Sequence, residues 1–255
     1  MRYFYFAYGI STYLIFFGVF LYSIGFVGNF IVPKSMDTGA SSPLGEAIVI
    51  NLLLLSVFAI QHSVMARKTF KRWWTKIIPA EIERNTYVLL SSLALALLYW
   101  QWRPMGEIIW DVSNTPLAPI LIGLSLAGWL IVLVSTFLLD HFELLGLRQA
   151  YSNLCGQQQS KASFRTPGLY LFVRHPIYLG FTIAFWATPI MTTAHLLFAI
   201  ATLGYTLIGI RFEEKDLVSE FGEQYLAYKS KVSMLFPVKF SRIMTQEEAS
   251  ELKES

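Results

Sequence analysis

The sequence carries little charge for its length. Charged residues make up 15% of its 255 positions, whereas soluble domains carry roughly a quarter. Hydrophobic residues account for 55%, and the mean hydropathy is +0.49. We therefore predict an integral membrane protein with an all-α fold, a polytopic bundle of helices. We expect the protein to lie in the lipid bilayer, and we expect no nucleic-acid partner.

Cysteine is almost absent as well, since Cys155 is the only one. A single cysteine excludes an intramolecular disulfide framework and any cysteine-cluster site for zinc or iron–sulfur. The four histidines show no paired spacing such as H-x-x-x-H, so we expect no metal site. The sequence also lacks a G-x-G-x-x-G loop that would open a soluble nucleotide-binding βαβ unit.

Long apolar runs are what the sequence has instead. Four runs of membrane-spanning length are predicted as full spans, at residues 9–32, 44–65, 85–102 and 117–139. Two shorter runs, 176–190 and 194–210, are predicted as a C-terminal helical hairpin whose arms fall short of the ~30 Å hydrocarbon core. We expect residues 1–240 to form one membrane-embedded domain and residues 241–255 to be a polar tail.

Basic residues concentrate in residues 67–84, next to Trp73 and Trp74. By the positive-inside bias this segment is cytoplasmic, which places both termini inside, in a bacterial inner membrane. After the hairpin, a charged helix is predicted to lie on the cytoplasmic membrane surface. Its apolar stripe is spaced by four, four, three and four residues and consists of Leu217, Phe221, Tyr225, Tyr228 and Val232.

This topology brings the polar clusters of the chain to the same cytoplasmic face. The clusters are Gln61-His62, Asp140-His141-Phe142-Glu143, Arg165, residues 170–178 and residues 211–214. Ionisable groups at the ends of membrane helices are functional candidates, although many only snorkel or pair with neighbours. Together, basic and acidic groups beside apolar walls suit a charged cosubstrate that meets an apolar one.

Several short motifs follow one another between residues 165 and 237. They are Gly168-x-Tyr170, Arg174-His175-Pro176-x-Tyr178-x-Gly180, Glu213-Glu214-x-x-Leu217, Phe221-Gly222-x-x-Tyr225-x-x-Tyr228 and Pro237. In this order they resemble the signature of the isoprenylcysteine carboxyl methyltransferase superfamily. Residues 22–29, 61–67 and 140–149 further resemble the bacterial methanethiol S-methyltransferases within that superfamily.

The resemblance implies methyl transfer from S-adenosylmethionine, bound on the cytosolic side by the hairpin and its flanks. It implies a cofactor site lined by Ala162, Ser163, Phe164, Arg165, Tyr170, His175, Pro176, Ile177, Tyr178 and Glu213. From the residues themselves, Glu213 offers acceptors to ribose hydroxyls or an ammonium, with Glu214 beside it. Arg174 or Arg165 offers a cation to the methionyl carboxylate. The alternative is that these residues only anchor to headgroups or begin a solvated helix.

Gly209 bears on the acceptor. The prenylcysteine enzymes resemble each other in carrying an Arg at this position, one turn before the first Glu of the pair. Without that cation a neutral or thiol acceptor fits better than a carboxylate. The resemblance to the methanethiol S-methyltransferases then implies methylation of methanethiol to dimethyl sulfide. Two alternatives stay open. One is a membrane methyltransferase for another thiol, an amine, or a lipid or prenylcysteine acceptor, and the other is a non-enzymatic membrane protein.

A thiol acceptor must lose its proton, because the thiolate is the strong nucleophile. The first candidate for the base or proton relay is His141, with Asp140 or Glu143 available to orient it. His62, next to Gln61, is the second candidate. Taken singly, each histidine is more often a buried structural residue.

Overall fold

A computed structural model describes residues 1–40, 42–157 and 164–237. Ala162, Ser163 and the predicted polar tail at 241–255 lie outside these described residues. The expectations for them stay predictions.

Within the described residues, helices carry almost all of the regular structure. In chain order they are α1 (Arg2–Gly28), α2 (Leu44–Ala66), α3 (Lys68–Trp74), α4 (Glu83–Gln101), α5 (Leu117–Leu138), α6 (His141–Leu144), α7 (Leu147–Cys155), α8 (Pro176–Trp186), α9 (Thr193–Phe221) and α10 (Glu223–Lys231). Short 3-10 turns lie at Ala80–Ile82 and Gly168–Leu171. Strands β1 (Ile108–Asp111) and β2 (Ile190–Thr192) pair antiparallel. The all-α prediction is confirmed apart from this small ribbon.

Four of these helices, α1, α2, α5 and α9, are long and apolar enough to cross a membrane. At ~1.5 Å rise per residue, lengths of this order reach across a ~30 Å hydrocarbon core. Their outer faces expose large apolar side chains such as Leu53, Leu130 and Ile208. A continuous apolar surface of this kind is stable in lipid and not in water. The chain is therefore an integral membrane protein.

Residues 85–102, predicted as the third span, form most of α4, a 19-residue helix that is less apolar than these four. This helix begins with Glu83 and buries polar Asn85, Ser91 and Ser92 while it packs against α1 and α2. That α4 spans the membrane stays a prediction. One prediction needs correction: the second hairpin arm is not short, because α9 is 29 residues long and ends at Phe221. Only the first arm, α8, is short.

The short helix α8 is held against α5 by a close backbone contact. A Cβ atom at Gly128 would lie 2.6 Å from the carbonyl oxygen of Gly180, and one at Gly180 would lie 2.6 Å from that of Gly128. Small residues let two membrane helices approach in this way. Pro176 takes the first position of α8, as predicted, because its missing N–H is not needed there. The contact with α5 therefore determines where the residues before α8 lie.

We expect Gly180→Ala to lower the free energy of unfolding by about 1–3 kcal/mol, because the added methyl group must separate α5 from α8. Thermal unfolding in detergent measures this change. The matched control is Gly123→Ala on α5, where nothing lies within 4 Å of a Cβ atom. Equal melting temperatures for the two variants would contradict the close approach.

The charged clusters share one end of the bundle. Arg67, directly after α2, pairs with Asp216 on α9 at 3.2 Å. The Nε group of Arg84 on α4 donates to the carbonyl oxygen of Leu144 at 2.7 Å. These contacts bring the C-terminal ends of α2 and α9 together, and join the start of α4 to the segment that follows α5.

The apolar stripe predicted after the hairpin, from Leu217 to Val232, is present, but it is divided by a break between α9 and α10. Gly222 separates α9 from α10 with φ 55° and ψ −127°, a conformation that is essentially restricted to glycine. Beyond this break, Tyr225, Tyr228 and Val232 are buried and pack against Phe164 and other apolar side chains. The stripe therefore faces the protein, whereas the sequence predicted that it would face the membrane surface.

Candidate functional site

A buried ion pair between Arg174 and Glu214 lies at the centre of the candidate site. The Nη2 and Nε atoms of Arg174 lie 2.6 and 2.8 Å from Oε1 of Glu214, and the two side chains are 8% and 9% exposed. Arg174 also donates from Nη1 to the carbonyl oxygens of Lys229 and Val232. Lys229 Nζ reaches Oε2 of Glu214 at 2.8 Å. The buried charges thus satisfy one another within the protein.

The segment after α10 supports the same site through its backbone. The N–H of Arg174 donates to the carbonyl oxygen of Ser233 at 2.9 Å, and the N–H of His175 donates to that of Met234 at 3.2 Å. These bonds, with the bridge between Val173 and Ser233, hold the residues before α8 against the segment that follows α10. The C-terminal part of the described chain is therefore needed to position the motif residues.

His175 lies between the two carboxylates and is 4% exposed. Its Nε2 atom is 3.3 Å from Oε1 of Glu214, and its Nδ1 atom is 3.8 Å from Oε2 of Glu213. A carboxylate only accepts hydrogen bonds, and only Nε2 is within hydrogen-bond distance of one, so in the neutral ring Nε2 carries the hydrogen and Nδ1 keeps a lone pair. Burial lowers the pKa of His175, although the charges of Glu213 and Glu214 oppose this shift. The ring is therefore neutral at pH 7.

Glu213 is the accessible carboxylate of the pair, with a side chain that is 45% exposed. It accepts a hydrogen bond from the hydroxyl of Tyr178 at 2.9 Å. Burial and the nearby charge of Glu213 raise the pKa of Tyr170, so that hydroxyl stays protonated. The lone pair of His175 Nδ1 and the carboxylate of Glu213 form a group of acceptors beside aromatic rings. This arrangement suits a ligand that carries hydroxyl or ammonium donors.

The structure therefore brings six predicted cofactor residues together, namely Tyr170, Arg174, His175, Tyr178, Glu213 and Glu214. The others lie around this group. Phe164 packs on Phe221, with ring centroids 5.3 Å apart, in the aromatic cluster under α10. Arg165 is exposed, Pro176 is buried at the start of α8, and Ile177 is half-buried. Their contact with a cofactor stays a prediction.

His141, the first candidate base, is held by structural contacts. It is 4% exposed, and its Nδ1 and Nε2 atoms lie 2.8 Å from the hydroxyl of Thr136 and 3.2 Å from that of Tyr13. Its ring stacks on Phe137 with centroids 4.2 Å apart. Hydroxyl groups, and not the predicted carboxylates, therefore orient this imidazole.

Asp140 and Glu143 have other partners. One carboxylate oxygen of Asp140 accepts from the backbone N–H of Glu143 at 3.1 Å, which caps α6. The other oxygen pairs with Arg148, whose Nη1 atom also lies 3.7 Å from Glu143. Both residues stabilise the turn between α5 and α7.

His62, the second candidate base, contacts Tyr87 and not its sequence neighbour Gln61. Its Nε2 atom lies 2.9 Å from the hydroxyl of Tyr87, and its Nδ1 atom lies 3.2 Å from that of Ser91. The amide of Gln61 donates to the sulfur of Met65 at 3.1 Å. His62 is thus joined to α4 through two hydroxyl groups.

Sequence reasoning missed several residues of this region. Lys229 follows the motif residue Tyr228, and that adjacency was the one signal in the sequence that pointed to it. Tyr87 stands outside every motif, and its partner His62 is on another helix. Arg148 lies within the 140–149 motif, but nothing in the sequence indicated that it pairs with Asp140.

Sequence comparisons connect this site to known proteins. The family described as Phospholipid methyltransferase matches residues 122–224, from α5 to the start of α10. Methanethiol S-methyltransferase of Mycobacterium tuberculosis is 53% identical over 236 residues, which cover 92% of this chain and 97% of the relative. The chain belongs to the methanethiol S-methyltransferase family.

Two further members of this family occur in Bradyrhizobium diazoefficiens. Methanethiol S-methyltransferase 1 is 54% identical over 91% of this chain and 81% of its own length. Methanethiol S-methyltransferase 2 is 55% identical over 95% of this chain and 93% of its own length. No solved structure matches the chain. The protein is thus a membrane methyltransferase, and its reaction requires a methyl donor.

Proposed function

We propose that this protein methylates methanethiol to dimethyl sulfide, with S-adenosylmethionine as the methyl donor. The assignment of the methyl donor rests on the group of hydrogen-bond acceptors formed by His175 and Glu213. The names of relatives that share about half of its residues over most of the chain support the acceptor. When bound, S-adenosylmethionine supplies a methyl group that is already activated by the positive charge on its sulfur.

The residues around Glu213 fit this donor. S-adenosylmethionine carries ribose hydroxyls and an ammonium group, which donate hydrogen bonds. His175 Nδ1 and Glu213 Oε2 face each other at 3.8 Å as two acceptors, so a donor group between them satisfies both. The rings of Tyr170 and Tyr178 offer their faces to the sulfonium or walls to the adenine. We assign the contact with the methionyl carboxylate to Arg165.

We assign Arg174 and Glu214 to holding the site in place. Both side chains are buried and bonded to each other, and Glu214 also bonds His175 and so orients the ring. A neutral, oriented imidazole presents its Nδ1 lone pair to the ligand without a rearrangement on binding. This role replaces the predicted contact of Arg174 with the cofactor.

We further propose that this end of the bundle faces the cytoplasm. The basic segment at 67–84 reaches α9 through the pair of Arg67 and Asp216, two residues beyond Glu214. Cys155 is exposed at the end of α7, beside the start of α1, and provides the test. A membrane-impermeant maleimide should label Cys155 in inverted inner-membrane vesicles and not in intact spheroplasts. The reverse pattern contradicts this orientation.

Acceptor profiling tests the proposed activity. Purified protein in detergent is supplied with methyl-labelled S-adenosylmethionine and with methanethiol, a longer thiol, an amine or lipid in parallel. Headspace gas chromatography should detect labelled dimethyl sulfide, at the highest rate in the panel. Label that enters only lipid or the amine contradicts methanethiol as the acceptor.

We expect Gly209→Arg to lower kcat/KM for methanethiol about 10-fold, because the new guanidinium is within reach of Glu213 and competes for its carboxylate. Gly209 lies one turn before Glu213 on α9, and nothing lies within 4 Å of a Cβ atom there. Gly209→Ala, the control, should keep the wild-type rate. Dimethyl sulfide formation measures both variants, and equal rates contradict the effect of the cation.

A further inference from the structure

Polar side chains from four helices come together beside the proposed donor site. On α2, His62 contacts the hydroxyl of Tyr87 on α4 at 2.9 Å, and Ser63 contacts the hydroxyl of Tyr205 on α9 at 3.2 Å. Tyr178 on α8 lies close enough to Tyr205 and Tyr87 to interact with both electrostatically. Of these residues only His62 and Tyr178 belong to the sequence-predicted site. We call this group the phenol cluster.

The phenol cluster has an apolar wall. Phe58 stacks on His62 with ring centroids 5.2 Å apart and meets Tyr205 edge to face at 6.3 Å. A site with aromatic walls and a few hydroxyl groups suits a small apolar molecule that carries one weak hydrogen-bond donor. A short alkyl thiol has this character.

Within the cluster, Tyr87 and His62 are arranged to take up a proton. The hydroxyl of Tyr87 lies 2.9 Å from Nε2 and 3.0 Å from Nδ1 of His62, and Nδ1 also lies 3.2 Å from the hydroxyl of Ser91. With the ring hydrogen on Nδ1, Nε2 accepts from the hydroxyl of Tyr87. The guanidinium of Arg84 lies 4.9 Å from the centre of the Tyr87 ring. Its charge favours negative charge on the phenol oxygen but opposes positive charge on the His62 imidazole. The imidazole therefore takes the Tyr87 proton only while the Tyr87 hydroxyl accepts another.

His141 has a different setting. Both of its ring nitrogens are bonded to Thr136 and Tyr13, and Phe137 covers one face of the ring. Within the described residues, His141 contacts Tyr13, Thr136, Phe137 and Phe142, and none of these contacts connects it to Tyr178 or Glu213. In contrast, His62 reaches the neighbourhood of Tyr178 through Tyr87.

Building on the proposed function, we propose that the phenol cluster binds the thiol acceptor and that Tyr87, backed by His62, takes its proton. The S–H bond breaks as the thiol proton moves to the Tyr87 oxygen and the Tyr87 proton moves to Nε2 of His62. The electron pair of the thiol sulfur forms the new bond to the methyl carbon, whose bond to the sulfonium breaks with both electrons staying on the leaving sulfur. The products are dimethyl sulfide, S-adenosylhomocysteine and one proton.

The proton on His62 must leave before the next turnover. It returns through the Tyr87 hydroxyl to water that enters as the products leave. Each turnover thus restores a neutral imidazole and a protonated phenol.

The test compares two thiols of different acidity. Variants Tyr87→Phe and His62→Gln are assayed with methanethiol and with 2,2,2-trifluoroethanethiol, an acidic thiol that needs less help to ionise. Since general acid–base catalysis contributes about 10²–10⁴-fold, we expect kcat for methanethiol to fall by about 10²-fold or more. The loss with the acidic thiol should be about 10-fold or less. Calorimetric affinity for S-adenosylhomocysteine, a readout independent of turnover, should stay at the wild-type value in both variants.

Two controls accompany these variants. Tyr99→Phe removes a buried phenol from the same helix α4, far from the cluster, and should keep the wild-type rate. His141→Gln should show no dependence on thiol acidity. Equal losses with both thiols, or an acidity-dependent loss in His141→Gln and not in Tyr87→Phe, overturn the proposal. If the wild-type protein binds S-adenosylhomocysteine but methylates neither thiol, the proposed function itself is contradicted. If the wild-type protein methylates methanethiol and the variants lose activity equally with both thiols, only the proposed roles of Tyr87 and His62 are contradicted.

Discussion

Arg174→Met is expected to lower the free energy of unfolding by about 3–5 kcal/mol, because it leaves the charge of a buried carboxylate with fewer partners. Glu214 would lose its bonds at 2.6 and 2.8 Å from the guanidinium and keep only His175 and the half-exposed Lys229. The carbonyl oxygens of Lys229 and Val232 would lose a donor as well. Thermal or denaturant unfolding in detergent measures the change.

Arg211→Met is the matched control for this prediction, since Arg211 is an exposed arginine on α9. It should unfold within about 0.5 kcal/mol of the wild-type protein. The double variant Arg174→Met, Glu214→Gln should recover part of the loss, because the second change removes the uncompensated charge. A wild-type melting temperature for Arg174→Met alone would show that the pair does not stabilise the fold.

Glu213→Ala is expected to weaken the binding of S-adenosylhomocysteine about 10- to 100-fold. Hydrogen bonds to a charged group are worth about 1.5–3 kcal/mol, and Glu213 is the accessible carboxylate of the site. The melting temperature without ligand should change little, since the side chain is 45% exposed and its hydrogen-bond partner is the half-buried Tyr178. Isothermal titration calorimetry gives the affinity.

Glu220→Ala controls for the loss of one acidic group on the same helix. Glu220 pairs with Lys68 at 3.0 Å and lies two turns beyond Glu213, so this variant should bind the ligand normally. Tyr178→Phe should weaken binding less than Glu213→Ala, because it keeps the carboxylate and the ring. Unchanged affinity in Glu213→Ala would remove this residue from the proposed donor site.

The two adjacent glutamates have opposite environments, and helix geometry explains the difference. A step of one residue along α9 turns the side chain by about 100°. Glu214 therefore points into the bundle towards Arg174, whereas Glu213 points to the accessible side with Tyr178. The motif places both glutamates in the site but does not distinguish the structural carboxylate from the accessible one.

Local signals in the sequence were enough to find the membrane helices and the end of the bundle that carries the site. Residues 44–65 and 117–139 were predicted within one residue of α2 and α5, because hydropathy and flanking prolines are local properties. α1 was predicted less closely, since it begins at Arg2 and ends where Asn29 adopts the left-handed conformation at φ 57°. The motifs then located Tyr170, His175, Tyr178 and Glu213 in one group.

Helix packing alone decided which partners these residues have. Thr136 and Tyr13 enclose His141, while Tyr87 on a separate helix faces His62. Such pairs depend on which faces of distant helices pack against each other. The spacing of residues within one segment does not show which faces these are. The membrane location follows from composition, whereas the roles of the individual histidines follow from contacts between residues that are far apart in the sequence.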